Sequence, residues 1–226
     1  MQAHPARYPA LLLGLFLLEF VALGVNPVDR PTWVLENMLS VALVVGLVAS
    51  YRRFPFSRAS YTMMFLFLVL HEIGSHYTYS LVPYDALWQR LFGFSLDEAL
   101  GFERNHFDRA IHLAYGLFFA YPIREIFLRV AVVRGFWGYA LPLATTMSTS
   151  MIYELIEWGA AVILGGDLGH AYCGTQGDVW DAHQDMSLAT LGAVIAMGVT
   201  LAINRTHQRD FAAEWADSLR VKRPPL

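Results

Sequence analysis

Lysine and cysteine are nearly absent from this 226-residue chain: Lys222 is the single lysine among sixteen basic residues, and Cys173 is the single cysteine. One cysteine excludes an intrachain disulfide and any multi-cysteine zinc site. A net charge of -3 with so little lysine leaves no basic patch for a nucleic acid. A lysine-and-arginine phosphate clamp of the phosphatidic-acid-phosphatase kind is excluded as well, because Lys222 stands alone in the tail. The clustered histidines of di-iron membrane desaturases are missing. HEIGSH is not H-E-x-x-H, and GDVWDAHQD lacks the rhythm of an EF-hand loop. It also departs from the D-x-x-D-G-x-x-A-R signature of CDP-alcohol transferases after its second aspartate.

What the chain has is apolar surface. Hydrophobic residues make up 56%, and the mean hydropathy is +0.40, more than one soluble core of this size needs. Residues 9–25, 33–51, 60–80, 105–124, 136–164 and 184–203 read as six membrane spans. The first is longer than a signal-peptide core and has no A-x-A-like site behind it. Residues 81–105 read as a loop carrying an interfacial helix. The expectation is an all-α, polytopic membrane helix bundle of about six transmembrane helices: one domain over 1–204, then a basic cytoplasmic tail over 205–226.

Arginine sets the direction. Twelve of the sixteen basic residues fall in the N-terminus, second loop, fourth loop and tail, so the positive-inside rule puts both termini in the cytoplasm of a bacterial inner membrane. Each span then has a direction and each polar residue a depth. Glu72 and His76 in the third span, Asp108 and His112 in the fourth, Glu154 and Glu157 in the fifth, and Asp178, Asp181 and Asp185 at the start of the sixth all belong to the outer leaflet. The three aspartates follow an i, i+3, i+7 stripe. The cytoplasmic half is expected to hold almost no intramembrane ionisable group.

An ionisable group at membrane depth is costly unless paired or coordinated, which makes this cluster a candidate site. Imidazole and carboxylate together suit zinc, manganese or iron(II), and Glu72/His76 and Asp108/His112 have the i, i+4 spacing that lets two side chains reach one ion. The candidate metal ligands are therefore Glu72, His76, Asp108, His112, Asp181 and Asp185, with Glu154, Glu157 and Asp178 as candidate catalytic acids or bases. Without a divalent metal the same groups serve acid/base chemistry or a proton path. The plain alternative is a satisfied polar network that fixes helix packing. Asp97, Glu98, Glu103 and Asp167 read as solvated loop acids, His106 and His170 as surface side chains, and Tyr79, Trp158 and Trp180 as interfacial anchors. Arg104 and Arg109 either neutralise nearby acids or hold an anionic head group.

The blocks GFERNHFDRAIHLAYGLFFAYPIRE, SMIYELIEW and GDVWDAHQDMSLATLGA resemble the YjdF-like family of bacterial inner-membrane proteins over nearly the whole chain. The resemblance implies a multi-pass inner-membrane protein and brings no reaction with it. The last block also resembles, over about twenty residues, the acid-rich helix start of VanZ-like membrane proteins, which hints at cell-envelope or lipid-linked substrates. Three function classes stay open: an outward-facing membrane enzyme acting on a lipid or lipid-linked molecule, a small proton-coupled transporter, and a non-catalytic structural or stress-related membrane protein. Membrane lipids are the expected partners in each.

Overall fold

The structure, a computed structural model, describes residues 6–165 and 175–220. Among the described residues every regular element is helical. In chain order these are α1 (Arg7–Leu23), α2 (Arg30–Ser50), α3 (Arg58–His76), α4 (Tyr84–Phe92), α5 (Leu96–Leu100), α6 (Phe107–Ile126), α7 (Trp137–Leu164), α8 (Asp181–His207) and α9 (Phe211–Arg220). The long helices α1, α2, α3, α6, α7 and α8 form the bundle, and each corresponds to one expected span. The short α4 and α5 occupy the long connection. Side chains set the helix starts: Asp29 accepts from the Thr32 N–H with Pro31 in the first turn of α2, and Ser57 accepts from the Ser60 N–H at α3.

Two sets of contacts define the ends of the bundle. At one end the Tyr8 hydroxyl meets Thr62 at 2.6 Å, Arg129 donates to the Pro55 carbonyl at 2.7 Å, and the Ser57 N–H donates to Glu125 at 3.0 Å. At the other end the Val28 N–H donates to the His76 carbonyl, Asn105 to that of Val82, and Arg104 to that of Thr175. Helices α6 and α8 therefore run in the same direction, and α3 and α7 run against them.

Polarity is turned inside out. The bulkiest fully buried side chains are Arg124, Glu72 and Glu125, whereas Leu18 (71% exposed), Val45 (60%) and Ile163 (84%) face outward. A soluble domain buries such apolar groups, each stabilised by about 1.5–3 kcal/mol in doing so. A bundle solvated by hydrocarbon has no such drive and places its polar groups inside. Of the described helices, α2 and α8 each contain a stretch long and apolar enough to cross a membrane by composition. In α3 and α6 the apolar run is broken by residues that the structure buries, among them His71, Glu72, Arg124 and Glu125.

Two expectations are corrected at the arginine-rich end. Arg124 is not a loop residue: it sits buried in α6, forks onto Asp210 with one nitrogen at 2.9 Å, and stacks 4.6 Å over the Tyr139 ring. With Glu125 beside it, this end is not free of buried ionisable groups. Residues 205–207 finish α8, and α9 folds back to bury Ala212 and Ala216 on Leu128. Residues 221–226, with Lys222, lie outside the described residues.

Candidate functional site

The candidate site is assembled by the closest helix pair, α6 against α8. Gly116 and Gly192 interlock there: a Cβ on Gly116 would press into the Ala189 carbonyl and lie 2.7 Å from the Ala193 nitrogen. A Cβ on Gly192 would press into the Leu113 carbonyl and lie 2.8 Å from the Leu117 nitrogen. Small residues let the backbones approach this closely. His112 stands one turn before Gly116, and Asp185 one turn before Ala189, the residue that Gly116 meets. The glycine contact therefore sets how far apart those two side chains are.

Asp108, His112 and Asp185 each offer one ligand atom, and these atoms lie within 4.8 Å of one another. His112 Nε2 is 3.6 Å from Asp108 Oδ1, and its Nδ1 is 3.7 Å from Glu154 Oε1. Both gaps exceed hydrogen-bond length. Asp185 is 2% exposed, and its Oδ1 has no hydrogen-bond partner among the described residues. On α7 the spacing puts Thr146, Ser150, Glu154 and Glu157 on one face; the first three are buried and Glu157 is half-buried. The Tyr153 hydroxyl donates to Glu36 Oε2 at 3.2 Å, and Glu157 stands about one turn beyond Glu154 on the same helix.

Beside these groups lies a cavity of about 350 Å³ between α2, α3, α6 and α7. Its lining is graded along α2, α3 and α6, whereas α7 adds the polar Thr149 and Ser150 toward mid-bundle. Toward the α6 start are Glu36, His71, Tyr79, Asp108, His112 and Glu157; toward mid-bundle are Leu43, Phe67, Leu68, Tyr115 and Phe119. From Asp108 to Phe119 the gradient covers about 16 Å of α6. Leu39, Ile152 and Ile156 line this cavity while 48%, 49% and 45% exposed, so it opens sideways between α2 and α7.

The end of the bundle above it is closed by ion pairs. Arg104 meets Asp181 at 2.7 Å and Arg109 meets Asp178 at 2.5 Å. Asp178 precedes α8 and does not continue its stripe. Its carboxylate accepts from the Trp180 N–H at 2.9 Å and from Gln184 at 3.2 Å. The Trp180 N–H first, then Arg109 and Arg104, hold the Asp178 carboxyl below the usual carboxylate range.

The sequence-predicted residues thus separate into groups. Asp108, His112 and Asp185 come together, with Glu154 and Glu157 next to them. Asp178 and Asp181 are committed to arginines, which settles Arg104 and Arg109 as partners of acids. Glu72 and His76 are not brought to the site, correcting the single shared cluster. Glu72 turns toward α2, within 3.5 Å of the Ser40 hydroxyl, and the His76 ring bonds the Leu23 carbonyl at 2.7 Å. On a helix a step of one residue turns about 100°, so His71 faces the cavity while Glu72 does not. Tyr79 is buried, not an interfacial anchor, and its hydroxyl pairs with His71 Nδ1 at 2.5 Å. Asp97 accepts from the Tyr84 hydroxyl at 2.6 Å. Asp167, His170 and Cys173 lie outside the described residues. Glu36, His71 and Tyr153 were missed; the signal was a stripe on α2, Thr32, Glu36 and Ser40, at helical spacing and buried throughout.

Residues 8–206 match the family described as "Predicted membrane protein (DUF2238)". The chain is 38% identical over 186 residues to inner membrane protein YjdF of Escherichia coli (strain K12), covering 82% of this chain and 83% of that protein. No solved structure matches.

Proposed function

The chain belongs to the DUF2238 family of predicted membrane proteins, and from that premise we propose that it is a multi-pass inner-membrane enzyme acting on a lipid or lipid-linked envelope molecule. Its six long helices cross the bilayer, both termini are cytoplasmic, and the site opens in the outer leaflet. The name of the Escherichia coli relative supports the inner membrane, and the arginine-rich end of the bundle supports the orientation.

One observation carries the reading: the cavity is graded from ionisable to apolar over half the bundle and opens sideways. An amphiphile placed in it has its polar end among Glu36, His71, Asp108, His112 and Glu157 and its chain beside Leu43, Phe67 and Phe119. It enters from the bilayer between Leu39, Ile152 and Ile156. Glu154 and Glu157 act as the acid/base pair, one carboxyl giving a proton to substrate and the other receiving one from substrate or water. Tyr153, on the same helix, holds Glu36 beside them. Asp178 and Asp181 serve the closure with Arg104 and Arg109 instead of the chemistry. The likeness of the α8 block to VanZ-like proteins points to the same substrate class.

The test is occupancy. Native mass spectrometry of protein released from its own membrane in mild detergent is expected to show a bound lipid-sized amphiphile. Filling the side opening in the double variant Leu39→Trp, Ile156→Trp is expected to remove it. Absence from the native protein, or retention by the filled variant, refutes the reading. A second reading, a proton-coupled transporter, is favoured by the line of ionisable groups Glu154, Glu157, Tyr153 and Glu36, of which Tyr153 and Glu36 are hydrogen-bonded, the kind of series a proton relay uses. Proteoliposome flux that disappears in Glu154→Gln supports that reading in place of the first.

A further inference from the structure

We propose that Asp108, His112 and Asp185 bind one divalent transition-metal ion, with zinc the best match to the donor set. The first observation is a spacing. His112 Nε2 and Asp108 Oδ1 are 3.6 Å apart, too far to share a hydrogen bond. Two ligands at 2.0–2.2 Å from one tetrahedral ion stand about 3.4 Å apart. The gap is that of two ligands around an ion, and the third ligand atom lies within 4.8 Å of both.

The second observation is independent. Asp185 is 2% exposed, and its Oδ1 meets no donor among the described residues. A buried carboxylate oxygen without a partner is costly, because it has given up its water for nothing in return. A cation between Asp108 and Asp185 removes that cost and offsets the surplus of acid formed with Glu36, Glu154 and Glu157, since Arg109 and Arg104 are committed to Asp178 and Asp181.

Two carboxylates and one imidazole suit zinc, manganese or iron(II) over calcium, which takes oxygen alone. Three protein ligands are the number a catalytic zinc keeps while leaving a position for water or substrate. Asp108 and His112 also line the cavity, so the ion borders it. What the ion does there rests on the function proposed above: it polarises an oxygen at the polar end of the amphiphile. Its presence does not rest on that function.

The experiment reads binding alone. Purified full-length protein is stripped with chelator, loaded with Zn²⁺ and desalted, and zinc per chain is measured by elemental mass spectrometry. Loading with Co²⁺ gives the visible ligand-field bands of the coordination. The expected result is one ion per chain in the native protein and in Asp181→Asn, whose carboxylate is held by arginine. In Asp185→Asn and His112→Gln, affinity is expected to fall at least tenfold and the Co²⁺ bands to be lost, with unchanged elution and unchanged thermal stability in chelator. Should either variant fail to fold, the native protein's stoichiometry and Co²⁺ spectrum decide alone. Less than half an ion per chain, or full retention in both variants, overturns the proposal and leaves the acid/base chemistry of Glu154 and Glu157 standing.

Discussion

Adding one methyl group at Gly116 tests whether the α6–α8 contact sets the site. The Cβ of Gly116→Ala meets backbone, not a flexible side chain: the Ala189 carbonyl and, at 2.7 Å, the Ala193 nitrogen. Restoring a separation of about 3.5 Å at the nitrogen alone requires the helices to part by about 0.8 Å, and the carbonyl demands more. Overpacking of this kind costs about 1–3 kcal/mol. At about 2–4 °C per kcal/mol for a chain of this length, the midpoint of thermal unfolding in detergent should fall by several degrees. The matched control is Gly46→Ala, whose Cβ meets nothing within 4 Å and which should move by no more than about 0.5 kcal/mol. Because His112 and Asp185 lie one turn from the contact, Gly116→Ala should also weaken Zn²⁺ binding, whereas Gly46→Ala should not. Equal unfolding midpoints for the two variants refute the reasoning.

Other perturbations address other parts of the molecule. Asp210→Asn should destabilise by about 2 kcal/mol, below the range for a fully buried pair because Asp210 is partly exposed while Arg124 is not. Burial pushes the Asp210 carboxyl up, but Arg124 and the backbone N–H groups outweigh it and hold the carboxyl below its ordinary value. Its contribution is therefore complete above about pH 4 and is lost as pH falls through the lowered value; thermal scans at neutral and acid pH should show a loss in the native protein that Asp210→Asn lacks. For orientation, single cysteines at Gln89 and Ala59 in a Cys173→Ser background should differ: an impermeant maleimide should label Gln89→Cys in intact spheroplasts and Ala59→Cys after lysis only. The opposite pattern would reverse the membrane orientation.

The bundle was legible because span length, turn residues and arginine spacing are local signals. Each of the six expected spans corresponds to a long helix, and of the α7 stripe Thr146, Ser150, Glu154 and Glu157 the first three are buried. The site was legible in part, for a geometric reason. Spacing along one helix says which side chains share a face but not which neighbour that face meets. Asp108/His112 and Glu72/His76 have the same i, i+4 pattern; the first pair faces α8 across the Gly116–Gly192 contact, and in the second Glu72 faces Ser40 of α2. Glu36 reads as a lone acid in an apolar run because its partner Tyr153 is 117 residues away. Arg124 reads as a loop residue because Asp210, which holds it inside the bundle, is 86 residues further on.

The most direct measurement of the proposed activity is turnover. Native protein and Glu157→Gln, reconstituted at matched levels in vesicles of bacterial inner-membrane lipid with Zn²⁺ supplied, would be incubated and their extracts compared by mass spectrometry. The expected result is depletion of one lipid or lipid-linked species, with a product differing in its polar end, in the native sample alone. Extracts that stay identical, from proteins shown to be folded and metal-loaded, would contradict a catalytic role and leave the buried acids as a network that fixes helix packing.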